Sequence, residues 1–286
     1  MLSLDKEFLS PLLRHRENDS HKGNYGHLLL VCGCETMPGA AVLATDAALH
    51  SGCGLVTLHS TRNAAVAAVT ACPSAMLSID PQDCLSSIPD NLQKYTAIAA
   101  GPGLGRDPRT VNALAGLMSK ASGLGIPMVL DADALNIISE NPDLMSMVPR
   151  GSVMTPHLGE LRRLGGDAVQ LSRASGCVVV QKGYGSRIFV PADGQGSMDI
   201  EQDGVKAYAN TTGNPGMAKG GSGDVLTGLV GGLLARGYSA DIAAMLGVWI
   251  HGYAGDVLSA ECTQESYSSA DLVGKLCCGF KVLYGE

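Results

Sequence analysis

The chain has 286 residues, of which 45% are hydrophobic, 16% charged and 4% aromatic, with a formal net charge of −7. That is enough apolar material for one large core of Ala, Val, Leu and Ile, and it excludes a disordered chain. An acidic balance with no Lys/Arg run excludes the basic face of a nucleic-acid binder.

The N-terminal stretch MLSLDKEFLSPLLRHRE carries Asp5, Lys6 and Glu7 and has no apolar h-region, so no signal peptide is expected. His27 to Cys32 reads as a strand. Pro38 to Ser51 reads as a helix ended by Gly52 and Gly54. Leu55 to His59 and Thr96 to Ala100 read as strands, the second running into Gly101-Pro-Gly-Leu-Gly105. Val111 to Ala121 reads as a helix and Pro127 to Leu130 as a strand ending in Asp131-Ala-Asp133. Val153 and Met154 lead into Thr155-Pro-His157. Cys177 to Gln181 reads as a buried strand with Arg187 to Val190 as its hairpin partner. Helices are expected over Gly223 to Arg236, Ser239 to Ser259 and Ser269 to Tyr284. The apolar stretch Val225 to Ala235 meets Arg236 and is too short to cross a bilayer, so a soluble protein is expected.

Repeated strand–glycine–helix units predict an α/β fold: a mostly parallel central sheet with helices on both faces and antiparallel edge strands near 177–210. No repeat or linker divides the chain, so 1–286 reads as one domain. The polar, turn-rich stretch 191–204 reads as a surface excursion. The nine cysteines form only C-x-C and C-C close pairs. They read as reduced thiols of a cytoplasmic protein, with no zinc site.

Ligands of such sheets lie beyond the carboxyl ends of the strands. That rule places Gly33, Gly101 to Gly105, Asp131, His157 and Lys182 on one rim. The strongest local signal is Asn210-Thr-Thr-Gly-Asn-Pro-Gly-Met-Ala-Lys-Gly-Gly-Ser-Gly-Asp224, a glycine loop opening a long apolar helix. The amides of Gly221, Ser222 and Gly223 would be unpaired helix N-terminal donors forming an anion hole. Asp224, in the first turn beside the anion, reads as the base for a hydroxyl that attacks phosphorus. Alternatively, it only caps the helix start.

Gly101 to Gly105 has G-x-G-x-G spacing and is followed by Pro108, which would disturb an immediate helix. It reads as a glycine bend for substrate, not a dinucleotide fingerprint. His157 and Glu160 open a helix after a strand: His157 to hydrogen-bond a polar substrate or serve structurally, Glu160 to hold a magnesium-bound water. Lys182-Gly183-Tyr184-Gly185-Ser186 leaves a strand, either to meet phosphates or as a glycine hairpin with a solvated lysine. Ala40 and Ala41 open the first helix with small residues, for close approach of a flat ligand or for tight packing alone.

Eight segments carry a resemblance: HKGNYG at 21–26, PGAAVLA at 38–44, SGCGLVTL at 51–58, AAGPGLGRD at 99–107, DADALN at 131–136, TPHLGE at 155–160, QKGYGS at 181–186 and NTTGNPGMAKGGSGDVLTG at 210–228. In this order the chain resembles the ADP- or ATP-dependent NAD(P)H-hydrate dehydratases, of ribokinase-like fold, from about His21 to Gly285. Departures are Lys219-Gly-Gly-Ser in place of Thr-Gly-Gly-Thr, and Gln181 and Ser186 in place of an apolar residue and Thr. Lys219 adds a cation for phosphate. The chain starts about 20 residues before HKGNYG, so the epimerase domain of many relatives is expected to be absent.

The resemblance implies a substrate: NADH or NADPH hydrated on the nicotinamide ring, in its S epimer. Phosphorylation turns the ring hydroxyl into a leaving group, and elimination restores the dihydronicotinamide. It implies Asp224 as the base, with Gly221, Ser222 and Gly223 stabilising the transferring phosphoryl group. Lys182, Gly183, Tyr184, Gly185, Ser186 and Gly223 would contact the adenine nucleotide. Ala40 or Ala41, Gly103 or Gly105, His157 and Asp224 would contact the hydrated dinucleotide. Mg²⁺ would come with the nucleotide, with Glu160 a candidate ligand through water. ADP is the expected donor, giving AMP and phosphate. A cytoplasmic homo-oligomer, tetrameric or larger, is expected, with neither nucleic acid nor membrane as partner. Two other readings stay open: a small-molecule kinase of the same fold acting on a vitamin precursor, and a nucleotide-binding protein without turnover.

Overall fold

The computed structural model describes residues 1–192 and 204–286. Residues 193–203 of the expected surface excursion lie outside the described residues.

The strands are β1 (Leu2–Leu4), β2 (His27–Val31), β3 (Leu55–Ser60), β4 (Met76–Ile79), β5 (Ala97–Ala100), β6 (Met128–Leu130), β7 (Val153–Met154), β8 (Val178–Gln181), β9 (Arg187–Pro191) and β10 (Val205–Asn210). They form one sheet in the order β1-β10-β9-β8-β7-β6-β5-β2-β3-β4. Among the described strands only β9 runs antiparallel to its neighbours β8 and β10. The other pairs are parallel.

The helices are α1 (Lys6–Leu9), α2 (Pro38–Leu49), α3 (Arg62–Ala71), α4 (Pro108–Leu124), α5 (Ala132–Glu140), α6 (Leu158–Arg163), α7 (Ala168–Ser175), α8 (Ser222–Ala235), α9 (Ala240–Glu261) and α10 (Ser269–Tyr284). They cover both faces, and strand alternation decides which residue meets which layer. Leu28 and Leu30 pack into one core with α2, α3, α8, α9 and α10. Leu29 and Val31 pack into the other with α4 to α7. A strand buried on both faces needs an unbroken apolar run, which is why LLLV shows no polar alternation.

Pro108 opens α4 instead of disturbing it. At the first helical position its missing N–H would have been unpaired anyway, and Asp107 caps the next amide. Helix α8 presses its backbone onto α2: a methyl group at Gly228 would come within 2.0 Å of the Ala44 carbonyl oxygen. Among the described residues no helix is long and apolar enough to cross a membrane.

Candidate active site

The strand order reverses at β2, which has β3 on one side and β5 on the other. Crossovers leave such a switch point in opposite directions and open a crevice beyond the strand ends. Gly33 follows β2, and its amide donates to the Pro102 carbonyl at 2.8 Å. Asp131 links the neighbouring segments. A methyl group at Gly101 would meet the Asp131 carbonyl oxygen at 1.8 Å, and one at Gly223 would lie 3.5 Å from Asp131 Oδ2. The glycine bend and the start of α8 therefore share one rim.

Asp131 is 1% exposed and fully engaged. Its Oδ1 accepts from Lys182 Nζ at 2.5 Å and from the Ala132 amide at 2.8 Å. Its Oδ2 accepts from Thr227 Oγ1 on α8 at 2.7 Å. The following residue, Ala132, has φ of +48°. A left-handed alanine costs on the order of 1–3 kcal/mol and persists only where surrounding contacts over-determine it. The bonds of Asp131 supply those contacts. Asp133 accepts from the Gly105 amide at 2.9 Å and so fixes the end of the glycine bend.

The N-cap of α8 is Gly221, with φ of +92°. A methyl group there would also come within 2.4 Å of Leu43 Cδ1. The amides of Gly221, Gly223 and Asp224 donate to no described group. The Ser222 amide donates to the Lys219 carbonyl at 3.4 Å, a long and weak bond. The free donors are thus Gly221, Gly223 and Asp224, not the expected set of Gly221, Ser222 and Gly223. Three unpaired amides at a helix start attract an anion.

Asp224 accepts no hydrogen bond from the described protein, and its pKa is raised to about 6. Burial is the main cause, with the charge of Asp131 next; Lys182 opposes both. A carboxylate with an affinity for protons near neutrality is suited to general-base work. The fully buried Cys32 thiol is pushed up by burial and by the Asp224 charge. Across the cleft, His251 on α9 is buried and lowered to about 4 by desolvation. It is therefore neutral, with Nε2 3.4 Å from Ser222 Oγ.

Asp131, Ser222, Gly223, Asp224 and His251 line one cavity of about 720 Å³ that also takes in Lys182 to Ser186, Asn210 and Met217. The hairpin after β8 holds itself, with Ser186 Oγ donating to the Gly183 carbonyl at 3.0 Å. Tyr184 projects from it 89% exposed. The opposite wall is tied to α9: Asp256 accepts from the Gly213 amide at 2.8 Å and from Asn214 Nδ2 at 3.0 Å.

Lys219 does not present its charge to this cavity as a phosphate ligand. Its Nζ donates to the carbonyls of Gln264 at 3.0 Å, Glu265 at 3.2 Å and Tyr267. All three ammonium protons are used, and the residue clamps the glycine loop to the α9–α10 connection.

The remaining expected residues divide. The His157 ring is the N-cap of α6: Nδ1 accepts from the Gly159 and Glu160 amides at 2.9 and 3.2 Å. That fixes the tautomer with its proton on Nε2, facing Glu160 Oε1 at 3.4 Å. Glu160 completes the box by accepting from the His157 amide at 2.8 Å, and it lies 3.8 Å from Lys182 Nζ. Ala41 is fully buried, whereas half-buried Ala40 faces Gly103. Gly105 has open space where a side chain would be. Residue pattern alone assigned no task to the Asp131–Lys182–Thr227 network, to His251 or to Asp256.

Residues 28–277 match the sequence profile of the NAD(P)H-hydrate dehydratases. The chain belongs to that family. It is 38% identical over 251 residues to the ADP-dependent (S)-NAD(P)H-hydrate dehydratase of Neisseria meningitidis serogroup B, covering 86% of this chain and 82% of that protein. It superposes with TM-score 0.81 and 27% identity on the ADP/ATP-dependent NAD(P)H-hydrate dehydratase of Bacillus subtilis co-crystallised with ATP/Mg²⁺, over 99% of this chain and 98% of that one. A ribokinase-like superfamily protein of Enterococcus faecalis superposes with TM-score 0.83 and 26% identity over 100% and 97%. The expected α/β, ribokinase-like fold is the one observed. The chain spans about half the length of the bifunctional NAD(P)H-hydrate repair enzymes it also matches, 50%, 52% and 54% in three of them.

Proposed function

We propose that this chain dehydrates the S epimer of hydrated NADH and NADPH at the expense of ADP, releasing AMP and phosphate. The observation that carries the reading is the unpaired Asp224 carboxylate beside three free amides. The amides suit a transferring phosphoryl group, and the carboxylate suits the hydroxyl that receives it. In the step, Asp224 takes the hydroxyl proton while the oxygen bonds to the terminal phosphorus and AMP departs. Phosphate then leaves with the C–O electron pair, and the adjacent ring carbon gives up a proton to water, its C–H electron pair re-forming the ring double bond. A preorganised donor of this kind is worth about 2.7–4 kcal/mol in the transition state.

Lys182 to Ser186 suit the nucleotide: a cation at the strand end, a free tyrosine face for a base, and glycines that let phosphates approach. Ala40, Gly103 and Gly105, at the switch point, suit the dinucleotide, and His157, in the wall of the cavity, suits a polar contact with it. Among the described residues no three His, Cys, Asp or Glu side chains form a metal cage. Mg²⁺ carried on the nucleotide phosphates and water would neutralise phosphate charge, and Glu160, in the cavity wall, would reach one of its waters.

A cytoplasmic homo-oligomer is part of the same reading. Nine unpaired cysteines suit a reducing compartment. Exposed apolar side chains on α3 (Val66) and on the edge strand β4 (Met76 and Ile79), 39–52% exposed, suit self-association, which light scattering measures.

The deciding assay mixes the protein with hydrated NADH and either ADP or ATP and follows the return of dihydronicotinamide absorbance. Recovery with ADP, together with AMP and phosphate, is expected. A stable phosphoester without recovery would mean a kinase.

A further inference from the structure

A second cavity, of about 340 Å³, lies at the amino-terminal ends of the strands and is lined by His15, Arg16, His50, Arg236, Phe280 and Tyr284, among others. Arg236 closes the carboxyl end of α8, whose other end carries Asp224. Fourteen residues of helix separate the two regions by about 20 Å.

Arg16 and Arg236 converge there. Their guanidinium carbons lie 4.0 and 5.7 Å from the centroid of the same ring, Tyr25. Arg16 Nη2 donates to the Gly52 carbonyl at 2.6 Å, and a methyl group at Gly52 would meet Arg236 Nη1 at 3.0 Å. Arg14 stands behind them, its carbonyl accepting from Arg236 Nη2 at 2.9 Å. Among the described residues none of the three has a carboxylate within ion-pair distance, although Arg106 has one and Arg109 two. Carbonyls and tyrosine faces orient a guanidinium without cancelling its charge. The α8 dipole favours one cation at its carboxyl end, not three. The acids nearby are Asp46, paired with His50 at 3.2 Å, Glu17, whose amide donates to the Tyr25 hydroxyl at 3.2 Å, and Glu286 at the cavity wall; none of the three is within ion-pair distance of these arginines.

We propose that this cavity binds a phosphate-bearing anion between Arg16 and Arg236. Guanidinium forks match phosphate oxygens bidentately. Tyr284, with its ring 4.9 Å from that of His15, and Phe280 form an aromatic wall beside the charges. The phosphate is either free or attached to a flat ring, and inorganic phosphate and AMP separate these sources. The site is independent of the reaction proposed above.

Crystals soaked in tungstate, a phosphate mimic visible by anomalous scattering, or in AMP locate the anion. Tungstate between Arg16 and Arg236 is expected. AMP density there identifies a ringed ligand; tungstate without AMP identifies free phosphate. No anomalous peak in this cavity at a concentration that fills the α8 amino end overturns the proposal. In solution, inorganic phosphate should raise Tm, against chloride of equal ionic strength, at least twice as much in wild type as in Arg16→Gln/Arg236→Gln. Equal rises overturn it, and tungstate density with equal rises marks an adventitious ion only. If the double variant fails to fold, Arg16→Gln alone, on an exposed arm, supplies the same comparison. Turnover at low phosphate should be unchanged, and a loss of stability independent of phosphate would show a merely structural pair.

Discussion

Lys182 spends its charge on Asp131 and leaves Asp224 unpaired. Its Nζ lies 2.5 Å from Asp131 Oδ1, whereas Asp224 feels it only at longer range. Two carboxylates on one rim thereby take different characters. Asp131 is buried and held by three donors; Asp224 faces the cavity with its pKa raised to about 6. The division matters because a base must be the group with nothing else to accept.

Asp131→Asn tests that division. Removing the Asp131 charge removes one of the causes that raise Asp224. The acid limb of kcat/KM, expected near pH 6 from Asp224, should move down by on the order of one unit. Lys182→Met removes the opposing cation and should move the same limb up. Profiles that shift together, or not at all, would mean that another group sets the limb.

Lys219→Met addresses the loop clamp. Three carbonyls lose a charged donor, each such bond being worth about 1.5–3 kcal/mol at most and not additive. A fall of several degrees in Tm is expected, with less than about a threefold rise in nucleotide KM once the protein is folded. A tenfold or larger KM effect at unchanged Tm would restore Lys219 as a phosphate ligand.

Local pattern carried much of this site and missed what depends on distant chain. The strand His27–Val31 and the helix start at Ser222 were legible because each shows its burial pattern within a few residues. Helix α3 and strand β4 were not. RNAAVAAVTA offers alanine in place of a clear stripe, and MLSI is a half-exposed edge. The Asp131–Lys182 pair joins residues 51 apart that follow β6 and β8, parallel strands on either side of β7 that only the sheet order brings close. The clamp on Lys219 comes from carbonyls 45 to 48 residues on. For His157 the signal was present. A hydrogen-bonding side chain three residues before Glu160 is the spacing of a capping box, with a ring nitrogen in place of a hydroxyl.

Asp224→Asn should separate chemistry from binding. The amide keeps the volume and cannot accept the hydroxyl proton, so turnover should fall by on the order of 10²–10⁴. Nucleotide affinity should hold or tighten, since a negative charge beside phosphate is removed. Single-turnover rates and equilibrium titration on one preparation read the two effects. Near-normal turnover would remove Asp224 as the base.

The same variant should change how stability depends on pH. Asp224 has a folded pKa of about 6 against an ordinary 3.8. Its contribution favours the folded state fully below 3.8 and is lost as pH rises through about 6. His251 behaves oppositely: with a folded pKa of about 4 against 6.5, its contribution is full above 6.5 and is lost as pH falls through about 4. Between about pH 4 and 6 each contributes a slope of about 1.4 kcal/mol per unit, of opposite sign, so the pair nearly cancels. Asp224→Asn leaves the histidine slope unopposed. Relative to wild type the variant should gain up to about 3 kcal/mol above pH 7, two units' worth, less what the carboxylate's access to the cavity screens. That advantage should shrink steadily as pH falls toward 4. Urea titrations of both proteins at about pH 4.5, 5.5 and 7.5 measure it. An advantage that stays constant across the three would mean that Asp224 is not held protonated by its surroundings.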